Sequence, residues 1–82
     1  MKIKLVNSDT PNAMRLQSVG WVQGYPAANI KAGDALIWNF GTITTVKSVS
    51  DISARFIEIT EVINGTEYKR KLMKSRNVAI AY

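Results

Sequence analysis

The chain has 82 residues, enough for one small domain and too few for two. A hydrophobic fraction of 46% argues against disorder. It holds no cysteine and no histidine, which excludes a disulfide frame and a thiolate zinc site and removes the commonest general base.

Charge is more telling once it is located. Eleven Lys/Arg against six Asp/Glu give a net charge of +5. Lys69, Arg70, Lys71, Lys74 and Arg76 fall within residues 68–77, which hold no acid, so the remaining chain carries six basic and six acidic residues and is neutral. Charge clustered in this way favours an anionic partner more than the same charge spread evenly. No apolar run approaches the roughly 20 residues that span a bilayer, and Met1–Val6 lacks the continuous apolar stretch of a secretory signal. The expectation is a cytoplasmic protein with no membrane partner.

Taken in chain order, residues 1–6 alternate, with Ile3 and Leu5 on one side and Lys2 and Lys4 on the other, which predicts a half-buried strand. Thr10 and Pro11 form a helix start signal and Gly20 a stop signal, so a short helix is expected over residues 11–19. Residues 21–29 read as a loop carrying Trp21 and Tyr25. A turn at residues 30–34 leads into a strand over Ala35–Phe40, and Gly41 interrupts it. The β-branched run from Thr42 follows. Its apolar residues Ile43, Val46 and Val49 lie three apart, which fits a strand only if it contains a β-bulge.

Asn64-Gly65 between two β-rich runs predicts a two-residue type I′ hairpin, because both central residues need positive φ. Its register places Ile57 opposite Leu72, Glu58 opposite Lys71 and Glu61 opposite Tyr68, with Arg70 within diagonal reach of Glu61. Lys69 and Lys71 then share one face. Residues 74–77 read as a tight turn, and residues 78–82 as a closing strand.

This order of short strands predicts a mainly β fold in one domain over residues 1–82. Small, strongly bent antiparallel sheets bury their inner face by curling into a barrel. The turn at residues 30–34, the glycine after Phe40, the Asn64-Gly65 hairpin and the tight turn before the last strand together resemble an SH3-like barrel over residues 30–82. That resemblance implies about five to six strands, with residues 1–29 supplying a strand, the short helix and a loop packed against the barrel. The short helix, Gly20-Trp21 and the run from Ile30 to Gly41 are similar to small uncharacterised proteins of bacteriophages and mobile elements, a resemblance that implies a genomic origin and no activity.

The chain offers little to catalysis. Its acids are scattered without the spacing of a carboxylate pair, and Glu61 is better read as the ion-pair partner of Arg70. Asp34 after Gly33 reads as a turn cap rather than a metal ligand. The glycines do not form a phosphate loop, and Asn64-Gly65-Thr66 is a hairpin turn rather than a glycosylation site. A non-catalytic binding module is expected, with no cofactor, no metal and no small-molecule substrate. The first reading gives it nucleic acid, DNA or RNA, held by Lys69, Lys71, Lys74, Arg76, Arg70 and Tyr68. The alternative gives it a protein partner or a homo-oligomer, through a groove of Trp21, Tyr25, Trp38 and Phe40 or through a sheet edge.

Overall fold

Eight strands run through residues 3–81, the part of the chain that the computed structural model describes. They are β1 (Ala13–Leu16), β2 (Gly20–Gln23), β3 (Tyr25–Pro26), β4 (Ala35–Ile37), β5 (Ile43–Asp51), β6 (Phe56–Ile63), β7 (Thr66–Met73) and β8 (Asn77–Ala81), with a 3₁₀ turn at Ala27–Asn29. β1 and β2 form a two-stranded hairpin. The other six make one antiparallel sheet in the order β3-β8-β4-β5-β6-β7. The sheet is open: its edges, β3 and β7, are not paired with each other, so the expected closed barrel does not form among the described residues.

The β6–β7 hairpin follows from its turn. Asn64 and Gly65 take φ of 50° and 80°, the left-handed pair that a type I′ turn requires. The register runs from Ile63 opposite Thr66 to Phe56 opposite Met73, as the turn dictates. The bulge in β5 falls between Val46 and Ser48. It turns both Val46 and Val49 toward one core, while Ile43 stays on the exposed side.

The helix expected over residues 11–19 is absent, and β1 and β2 stand in its place. Asn12 already has φ of 62°, which ends any helical path two residues after the cap signal. Met14 and Leu16 then alternate with exposed Arg15, the period of a strand. Residues 21–29, expected as a loop, contain β2, β3 and the 3₁₀ turn. Of the expected first strand, Met1 and Lys2 lie outside the described residues. The rest runs beside β2, with the Val6 N–H donating to the Trp21 carbonyl and the Gln23 N–H to the Lys4 carbonyl, both at 3.1 Å. Tyr82, at the end of the expected last strand, also lies outside the described residues.

Two apolar cores occupy opposite faces of the sheet. On the concave side Leu36, Val46, Ile57, Ile59, Leu72 and Val78 pack with Ala27 and Ile30. On the other side Leu16 and Val22 of the hairpin lie on Ala35, Ile37, Ala79 and Ala81. β4 is therefore buried on both faces, which accounts for its unbroken apolar run. The alanines of β8 hold back little side chain, so the hairpin can approach closely. Gly24 marks another close approach: a Cβ there would meet the Asn12 carbonyl at 2.5 Å.

Candidate nucleic-acid interface

The basic residues are distributed by strand alternation and by the turn after β7. Tyr68, Arg70 and Leu72 face the concave side, opposite Glu61, Ile59 and Ile57. Lys69 and Lys71 face the other way. Only Leu72 is buried; Tyr68 is 54% exposed.

Glu61 organises the concave group. It is 1% exposed, and its Oε1 accepts a hydrogen bond from Arg70 Nε at 2.5 Å. A buried carboxylate needs such a partner, because desolvation without one is costly. The same guanidinium lies 4.1 Å from the centre of the Trp38 ring, and that of Arg76 lies 5.8 Å from it. Trp38 Nε1 donates to Thr44 Oγ1 at 3.1 Å, which fixes the plane of the indole. An arginine–tryptophan–arginine group thus gathers beside Tyr68. Glu61 holds Arg70 from below, and both planar cations lie within cation–π range of one indole.

The other lysines are less free than their sequence suggests. Lys74, which has no acidic neighbour in sequence, pairs with Asp51 at 2.6 Å across the sheet. That removes it from the set of uncommitted charges. Lys71 Nζ sits 4.3 Å from the centre of the Phe56 ring, while Glu67 is engaged by Lys47 at 2.7 Å. Among the described residues, Lys69, Lys71 and Arg76 have no acidic partner.

β7 is also an edge. In a two-residue hairpin the pair flanking the turn is hydrogen-bonded and the pairs alternate from there. Glu67, Lys69, Lys71 and Met73 therefore aim their backbone N–H and C=O groups away from β6. The edge carries outward polar backbone with lysines on one face and Tyr68 and Arg70 on the other.

The four aromatics of the alternative groove are scattered. Trp38 belongs to the basic group and packs on the concave core. Tyr25 is half-buried on β3 and lines a separate cleft with Asn29, Lys31 and Asp34. Trp21 is 40% exposed on β2, and Phe40 is 73% exposed in the turn after β4. Asp34 caps its turn as expected, its Oδ2 accepting from the Lys31 N–H at 2.8 Å. Among the described residues no three His, Cys, Asp or Glu side chains gather as a metal site, and no helix is long and apolar enough to cross a membrane.

Comparison of the chain with protein-family models, with curated proteins and with solved structures finds no match.

Proposed function

We propose that this protein is a non-catalytic module that binds single-stranded nucleic acid along β7. The observation that carries the reading is the exposed ring of Tyr68 beside Arg70, on an edge strand whose opposite face carries Lys69 and Lys71. An unpaired base stacks on a free aromatic face, and flanking cations follow the phosphates. Lys69, Lys71 and Arg76 supply the phosphate contacts, Tyr68 the stacking platform, and Arg70 a guanidinium held in place by Glu61. Lys74 contributes only if it leaves Asp51. The meander β4–β7 with β8 beside β4 supports the reading of residues 30–82 as SH3-like, with the barrel left open between β7 and β8.

Fluorescence anisotropy with a labelled single-stranded oligonucleotide tests this. Three phosphate contacts predict that log affinity falls with log salt at a slope of about −2, and Lys69→Gln reduces that slope by about 0.7. Tyr68→Ala weakens binding by about 1–3 kcal/mol with little change of slope. Absence of binding at low salt overturns the proposal.

The outward backbone groups of β7 favour one second reading, the addition of an extended acidic peptide to that edge. Such a complex would depend on the free β7 edge and would lose none of its affinity on Tyr68→Ala.

A further inference from the structure

Past the pair Ile37–Ala79, β4 and β8 part company. Trp38 turns toward β5, its N–H donating to the Thr42 carbonyl at 2.9 Å. On β8, Val78 and Asn77 pair instead with Tyr25 and Pro26 of β3. The divergence opens a cleft of about 160 Å³. Trp38 and Asn39 line one side, Arg76 and Asn77 the other, and β1 closes it with Met14, Arg15 and Leu16. That is room for several waters or for one tetrahedral oxyanion.

Its chemistry points one way. No described residue lining it is acidic, and the two ionisable residues along it, Arg15 and Arg76, are both arginines. Neither Arg15 nor Arg76 has an acidic partner among the described residues. Arg76 is held by its backbone, its N–H donating to the Met73 carbonyl at 3.0 Å and its carbonyl accepting from the Ala27 N–H at 2.8 Å. Asn39 is held in the same manner: its carbonyl accepts from the Ser18 N–H at 3.1 Å, and its Oδ1 faces the Gln17 N–H at 3.4 Å. That leaves the Asn39 amide NH₂ as its uncommitted end. Guanidinium forks and amide donors suit an oxyanion, and the backbone that carries Arg76 and Asn39 is already hydrogen-bonded in place.

We infer that this cleft binds a phosphate monoester. A group with three free oxygens can end in a cleft closed by β1, whereas a phosphodiester must leave through both of its ester oxygens. The inference rests on the nucleic-acid reading for its natural source, a strand end bearing a phosphate, with free phosphate as the other source of the same chemistry.

The test is a titration of inorganic phosphate at constant ionic strength, followed by ¹⁵N-resolved NMR of the full chain. Saturable shifts are expected at the Asn39 and Asn77 side-chain amides and the Trp38 indole N–H. Arg76→Gln and Arg15→Gln each weaken binding by about tenfold, Arg76→Lys recovers part of the loss, and Lys47→Gln changes nothing. Shifts that fail to saturate, or that survive Arg76→Gln in a protein with native spectral dispersion, overturn the inference. Single-stranded oligonucleotides with a 5′-phosphate, a 3′-phosphate or neither then separate the sources. Tighter binding of a phosphorylated end, lost in Arg76→Gln, supports a strand end; saturation by inorganic phosphate alone supports free phosphate. Oligonucleotide binding without any phosphate response removes the cleft and leaves the β7 reading standing. A phosphate response without oligonucleotide binding does the reverse.

Discussion

Replacing Arg70 with alanine tests the link between Glu61 and the group built above it. Removing one partner of a fully buried ion pair costs about 3–5 kcal/mol, since the other charge is left desolvated. Here Glu61 is buried but the Arg70 side chain is 44% exposed, so water can enter the vacated space and the cost falls below that range. Losing the guanidinium from the Trp38 ring adds about 0.5–1 kcal/mol. Together these give a loss of about 2–3 kcal/mol. For a domain of this size, urea unfolding with a slope of about 1 kcal/mol/M should show the midpoint falling by about 2–3 M. The paired change Glu61→Leu with Arg70→Met should recover most of that loss, because apolar groups of similar shape need no partner. If Arg70→Ala moves the midpoint by less than about 0.5 M, the buried carboxylate does not depend on the guanidinium and the reasoning fails.

The remaining predictions use the same urea measurement. Leu36→Ala empties a site that is 0% exposed and should cost about 2–5 kcal/mol. Gly24→Ala drives a Cβ against the Asn12 backbone carbonyl; a cost of about 1–3 kcal/mol is expected, and an unchanged midpoint would show that the Asn12 turn yields. Gly65→Ala meets no atom within 4 Å but holds φ of 80°, so about 1–2 kcal/mol of backbone strain is its whole effect. Lys74→Gln breaks a pair whose acid is 74% exposed and should change stability by less than about 1 kcal/mol.

What could be read from the sequence was local. Asn64-Gly65 carries its own geometry, and a register follows from it without reference to the rest of the chain. The bulge was legible for a similar reason, since a spacing of three between Val46 and Val49 can share a face only if one residue is extruded. The helix expected over residues 11–19 does not form although Thr10, Pro11 and Gly20 imitate its two caps. The decisive residue was Asn12, whose positive φ could be foreseen only as a tolerance of that residue type. Met14, Leu16 and Val22 also gain more on the alanine-lined back of β8 than a helix of that length can gain alone. In the candidate site, the Glu61–Arg70 pair was within reach of a register argument, whereas Lys74–Asp51 and the Arg76–Trp38 approach join segments distant in sequence. Arg15, Asn39 and Asn77 gave no signal at all, because a cleft made by two diverging strands has no motif.

The place of β8 also governs how the molecule must assemble. The strands β4 to β7 follow one another as neighbours, so their contacts close short loops. β3 has no route into the sheet except through β8, and Ala35 meets Ala81 across more than forty intervening residues. Such a closure is paid in chain entropy before any contact rewards it. Collapse of the meander and docking of the last strand are therefore separable events, and the second completes both cores at once. Until then Leu36 and Ile37 of β4 lack the part of their cover that β8 supplies, which makes the unfinished meander the species most exposed to aggregation.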